Sequence, residues 1–222
     1  DVFIGPRSFY RAYSTAGRAP NPAEVVRELG QTFEVMNTNI KRWTVGSPIQ
    51  APLDSLYALI GEHRLKASQV DHVVVRVAPH AALTVDNRHM PDINMQHMCA
   101  VMLMDSTASF EAAHDEARMR DRHTRTLRDR IQLIHDEEFD TKYPGRQGSV
   151  EVVLKNGTTL RHHTATVRGT SENPMTRAEV DDKSHSLMAP VLGLRRSRAL
   201  CDSIWSLERM KDMRELGQML RK

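Results

Sequence analysis

Aromatic side chains are scarce in this chain of 222 residues, where Phe, Trp and Tyr together make up 5%. A core must then lean on Val, Leu, Ile and the 12 Met, whose flexible thioethers fill irregular gaps. Cysteine is scarce too: Cys99 and Cys201 make no disulfide framework and suit a reducing, cytoplasmic setting. No apolar run approaches the length of a membrane span, and no signal-type segment opens the chain, so neither membrane nor export is expected. The chain opens on Asp1 rather than Met, as a processed, truncated or split piece would. A surplus of one charge is also missing, since 31 cations face 28 anions. The densest basic stretch, Arg118 to Arg130, is punctuated by Asp121 and Asp129 and preceded by Asp115 and Glu116. It reads as a solvated helix, not a nucleic-acid face.

Motifs are missing as well. There is no GxGxxG, GxxxxGK[ST] or GxSxG, which removes the usual dinucleotide, nucleotide and serine-hydrolase signatures. Neither HExxH nor CxxC occurs. His162 and His163 are adjacent on an expected strand and point to opposite faces, so they cannot grip one ion together. No metal and no cofactor is expected.

What is present builds a core. The chain is 40% hydrophobic and 27% charged, with room for one domain or a domain and a half. Asn21-Pro22-Ala23-Glu24 has the form of a helix start, with Val25, Val26 and Leu29 on one face and Gly30 at the end. Phe33 to Met36 reads as extended, and Phe3, Ile4, Phe9, Tyr10 and Tyr13 fall in no clear pattern. Pro52 suits the first position of a helix carrying Leu53, Leu56, Leu59 and Ile60, with Gly61 as terminator. Val73, Val75 and Val77 alternate as in a strand, and residues 78–91 read as a long loop. Met95 to Asp105 is an apolar helix; a polar helical segment covers 109–130, and Ile131 to Ile134 is a short strand. Alternating residues flank Asn156-Gly157, a hairpin whose second strand is expected to reach Thr166. Thr176-Arg177-Ala178-Glu179 is a capping box opening a helix that ends near Gly193, and two more helical stretches follow, 197–207 and 210–220. The fold expected is α+β: a small, mostly antiparallel sheet with helices packed on one face, flanked by helical segments.

Lys41 and Arg42 precede a loop and a helix start. Ammonium, loop amides and helix dipole together favour an anion there. An exposed basic pair before a surface helix is the competing reading.

Three stretches together resemble the MmgE/PrpD family of 2-methylcitrate dehydratases and cis-aconitate decarboxylases. The Lys41-Arg42-Trp43 loop is similar to that family's Lys-x-[Phe/Tyr]-Pro segment, and Met95 to Asp105 to its helix ending in Asp-Gly. The third stretch runs from Val150 through Gly169-Thr170-Ser171-Glu172-Asn173-Pro174 to Gly193 and follows the family's C-terminal region most closely. The resemblance implies residues 1–40 as a helical lead-in, 41–193 as the C-terminal α+β domain and 194–222 as a C-terminal helical segment. It implies a lyase that acts on a citrate-like polycarboxylate by α-proton abstraction, with its site completed by a helical domain or separate chain, in a homodimer or hetero-oligomer. The histidines and aspartate that the family draws from its helical domain have no counterpart here.

Lys41 is carried over as the catalytic or carboxylate-binding residue, with Arg42, Ser47, Gln50, His80 and His89 as substrate-binding candidates. Loop polarity alone is the competing reading of Ser47 and Gln50, and solvent exposure that of the two histidines. Where the decarboxylases have His and Tyr, this chain has Gly46 and no Tyr in 78–91; Thr44 and Ser106 replace the family's Pro and Gly. The alternative is a non-catalytic or diverged module that keeps the fold and at most an anion pocket. Docking on a helical domain would expose a large apolar patch, to which the Met-rich helix and the final helices are expected to contribute.

Overall fold

The computed structural model describes residues 8, 9, 21, 23, 26–141 and 146–221. The expectations at Phe3, Ile4, Tyr10, Tyr13, Pro22, Glu24 and Val25 lie outside them. Two compact units divide the chain, Asp1–Thr38 and Asn39–Lys222. In the first, Asn21 Oδ1 accepts the Ala23 amide at 3.1 Å, as a capping residue does. The stretch expected to be extended is instead a 3-10 turn, Glu34–Asn37, closed by the Met36 amide on the Phe33 carbonyl at 2.9 Å. Leu29, Phe33, Val35 and Met36 are exposed.

The second unit begins with the Lys41 loop and a 3-10 turn, Ser47–Ile49, leading into α1, Gln50–His63. Leu53, Leu56, Leu59 and Ile60 recur at helical spacing and are buried, each contributing about 1.5–3 kcal/mol. Pro52 is the third helical residue rather than the first, still within the turn whose amides have no partner inside the helix. Gly61 does not stop the helix. Arg64 does, in the left-handed conformation with φ 50°.

Strand β1, Val70–Val77, buries Val73, Val75 and Val77 and leaves His72 and Arg76 exposed, as its period of two demands. The expected long loop contains a helix, α2, Pro79–Val85, which buries Ala82 and Val85. Short helices entered by proline carry a weak sequence signal, and tertiary packing decided this one. Helix α3, Met95–Asp105, is buried from Met95 to Leu103. It is the centre of the core, so the Met-rich helix does not contribute to an exposed patch. The polar segment 109–130 breaks into α4, Phe110–Ala113, a 3-10 turn, Arg118–Arg120, and α5, Arg122–Arg128. Asp121 caps α5 by accepting the Thr124 amide at 2.8 Å.

Strands β2, Ile131–His135, β3, Gly148–Leu154, and β4, Thr159–Thr164, complete a sheet of order β2-β1-β3-β4. The β1–β2 pair is parallel, and the other two pairs are antiparallel. Gly157 takes φ 85° in the hairpin turn between β3 and β4. Strand β4 ends at Thr164, two residues before its expected end; there the Thr164 hydroxyl meets Ser55 Oγ of α1 at 2.8 Å. His162 faces inward with Nδ1 3.2 Å from Ser55 Oγ, while His163 faces outward to Gln147. Helices α1 and α3 cover one sheet face; the other carries the exposed Arg161–Glu151 pair at 2.6 Å. Last come α6, Arg177–Leu192, α7, Leu194–Trp205, and α8, Arg214–Leu220. Their exposed apolar residues include Val191, Leu194, Ile204, Met213 and Leu220. Among the described residues no helix is long and apolar enough to cross a membrane.

Gly148 lies under the start of α1. A Cβ there would come 2.9 Å from Pro52 Cδ and 3.2 Å from Ala51 Cβ. Gly148→Val should cost about 1–3 kcal/mol through overpacking, read as a lower urea midpoint; an unchanged midpoint would refute this close approach.

His97 of α3 is fully buried, and among the described residues neither ring nitrogen has a partner. Burial first, then the charges of Arg128 and Arg118, push its pKa from 6.5 to about 4. The unfolded chain therefore takes up a proton below pH 6.5 that the folded one refuses until about pH 4. Stability is full above pH 6.5 and should fall by about 3 kcal/mol between pH 6.5 and 4, with no further loss from this group below. His97→Leu should flatten that part of the stability–pH curve; a curve of unchanged slope would refute the assignment.

Candidate functional site

The Lys41 loop is held by buried side chains of α1. Gln50, 3% exposed, accepts the Trp43 amide at 3.1 Å and donates Nε2 to the carbonyls of Trp43 at 2.8 Å and Val45 at 3.3 Å. One turn on, the Asp54 carboxylate accepts the Trp43 indole N–H at 2.9 Å through Oδ1 and the Arg168 amide at 2.9 Å through Oδ2. Burial raises the Asp54 pKa, against those hydrogen bonds and the Arg42 charge, which lower it. Arg168 forks onto Glu179 of the capping box at 3.0 and 2.5 Å. That pairing, with the Thr176 amide, holds the Glu179 carboxyl down at about 2. Gly169 closes the frame. Its carbonyl accepts the Ile40 amide at 2.8 Å, and it takes φ 94° where any Cβ would collide with the Ile40 carbonyl.

This frame borders a cleft of about 290 Å3 between the loop, α1, α4 and α6. Arg42 lies over the rings of Trp43 and Tyr57, 4.7 and 4.2 Å from their centroids, and 4.0 Å from Asp54. Lys183 enters from α6 and donates to the Lys41 carbonyl. Burial, then the Lys41 charge, lowers the Lys183 pKa. Phe110 supplies an apolar wall. The Thr44 hydroxyl is buried without a partner among the described residues. The lining thus combines two cations, an apolar wall and a rigid loop with the carboxylates of Glu111, Glu179 and Asp182, of which Glu179 is paired with Arg168.

The six residues singled out by sequence are not gathered into one place. Arg42 lines this cleft. Lys41 is exposed and does not line the cleft; its carbonyl accepts from Lys183, and its Nζ donates to the Val45 carbonyl at 3.1 Å. Gln50 is spent on the loop, and Ser47 sits in the 3-10 turn behind it. His80 is exposed on α2, which packs on that turn. His89 is exposed and lines a second cleft, with Arg88, Arg120 and Arg128. Lys183 was missed because Asp182-Lys183-Ser184 looks like any polar helix face. Its signal is only spatial. Among the described residues no three His, Cys, Asp or Glu side chains are grouped to hold a metal ion.

A family model described as the MmgE/PrpD C-terminal domain matches residues 43–208, and the chain belongs to the MmgE/PrpD family. No curated protein matches it.

Asp54→Asn leaves one acceptor where two donors converge, so one buried N–H loses its partner. The expected cost is about 1–3 kcal/mol in denaturant unfolding, with a change in Trp43 fluorescence as the indole is released. A variant as stable as the parent would show that Asp54 is not the anchor.

Proposed function

We propose that this MmgE/PrpD chain supplies the Lys41 loop of a lyase site that dehydrates or decarboxylates a citrate-like polycarboxylate. The carrying observation is the cleft lined by both Arg42 and Lys183, with Lys183 donating to the Lys41 carbonyl. Polycarboxylates need cations at more than one point, and Arg42 offers a guanidinium held in place by two rings and a carboxylate. When a proton α to a carboxylate is removed, its electron pair spreads into that carboxylate, and a nearby ammonium stabilises the charge. Lys41 takes that role once its Nζ turns from Val45 to substrate. Lys183, with its lowered pKa, is suited to hold or accept a proton nearby.

In this reading residues 41–193 form the α+β part of the site, 1–40 lead in from a helical part and 194–222 return to it. The exposed apolar residues of α6, α7 and α8 support such a helical partner, in a cytoplasmic homodimer or hetero-oligomer. A second reading, a non-catalytic or diverged module, draws on the Lys41–Val45 hydrogen bond, which makes Lys41 a loop brace.

Native mass spectrometry of the purified protein tests the partner; a helical second chain or domain, rich in His and Asp, is expected. In that assembly Lys41→Ala should lower turnover of citrate-like acids at least about a hundredfold with the melting temperature kept. Turnover at the parent rate, or none in either protein, would favour the second reading.

A further inference from the structure

The arginine run from 118 to 130 does not behave as one solvated face. Arg118 forks onto Asp105 at 2.6 and 2.7 Å, and Arg130 donates to the Val70 carbonyl at 2.8 Å. Both are structural. Arg120 and Arg128 instead line a cleft of about 240 Å3 with Arg88 and His89 from the turn after α2. Among the described residues neither the Arg120 nor the Arg128 side chain has an ion-pair or hydrogen-bond partner, although Arg128 is half-buried. Glu116 is the one carboxylate lining the cleft, and it too is without an ion pair among the described residues.

The walls are pinned. Arg88 donates Nε to the Thr84 carbonyl at 2.9 Å and Nη2 to that of Leu83 at 3.0 Å, which leaves Nη1 unused. Its own carbonyl accepts from Asn94, a fully buried side chain, at 2.5 Å. The Asn87 amide is held by Gln96 at 3.1 Å. Three guanidiniums and an imidazole therefore converge from three separate segments on one space, with a single carboxylate to balance them. The field reaches the interior, where the Arg128 charge disfavours protonation of His97. Guanidiniums brought together, with the half-buried Arg128 and the exposed Arg120 lacking side-chain partners among the described residues, suit an anion.

We propose that this cleft binds a compact oxyanion of two or more charges, a phosphate or a small polycarboxylate, as a site apart from the Lys41 cleft. The two clefts share no lining residue. Its volume is below the roughly 300–1,000 Å3 of pockets for larger ligands, as suits a compact anion. Arginine forks match the paired oxygens of both phosphate and carboxylate.

Titration calorimetry of the full chain at low ionic strength, with inorganic phosphate and with tricarballylate, tests the site. Binding of at least one anion is expected, weakening as salt is raised. Arg128→Ala and Arg120→Ala should each weaken it tenfold or more. Arg120 is exposed, so its variant should keep the parent melting temperature, and Arg120→Lys should restore part of the affinity. Lys41→Ala should leave the arginine-dependent binding unchanged, even where it removes a separate tricarballylate site at the Lys41 cleft, which separates this site from the lyase reading. Tighter phosphate binding marks a phosphate ligand; tighter tricarballylate binding marks a carboxylate. No heat with either anion, parent affinity in both arginine variants, or loss of the arginine-dependent binding in Lys41→Ala would overturn the proposal.

Discussion

Everything around the Lys41 loop depends on one buried carboxylate. Asp54 projects from α1 and joins two segments more than a hundred residues apart, the Trp43 indole on one side and the Arg168 amide on the other. Its desolvation costs free energy, and the two N–H donors with Arg42 nearby offset that cost. Because α1 is itself locked into the core through Leu53, Leu56 and Leu59, the position of Asp54 is that of the core. The loop and the Gly169 turn therefore inherit the rigidity of the sheet. From Arg168 the chain of contacts runs on through Glu179 to the capping box of α6, which delivers Lys183 to the cleft.

The core explains why the cleft has a firm floor. With few aromatics, α3 fills the space beneath β1 and β2 with Met95, Met98 and Met102, all fully buried. His97 is the exception in that layer, a polar ring in an apolar site. Such a group specifies nothing by its own bonding. It does tie the stability of the central helix to pH and to the arginines outside it. Arg128, one of those arginines, also lines the second cleft, so core and charged surface meet at α3 and α5.

The Lys41 cleft and the arginine cleft are built differently. In the first, each cation has something to hold it: rings and Asp54 for Arg42, the Lys41 carbonyl for Lys183. In the second, Arg120 and Arg128 have no such contact among the described residues. A held cation is pre-organised for a substrate that must be oriented for chemistry. Cations left without partners suit an anion that is simply retained.

The sequence by itself determined the regular elements and the family. The alternating valines of β1, the Asn-Gly hairpin and the Thr176–Glu179 capping box are local patterns, decided by neighbours within a few residues, and each is present as read. The stretches that resembled the MmgE/PrpD family fall largely within the matched residues 43–208. The apolar face of the Met-rich helix was legible as buried; helix α2, the break-up of 109–130 and the burial of that helix on every side were not, because each depends on what packs against it. The same holds for the site. Gln50 looked like a polar loop residue free to meet a ligand, yet three of its hydrogen bonds go to the loop, and only the fold brings those carbonyls to it. Lys183 had no sequence signal, and Arg128 was legible only as one charge of a solvated helix. Their partners in space, Lys41 and Arg88, lie far away along the chain, and it is tertiary structure that turns isolated charges into a site.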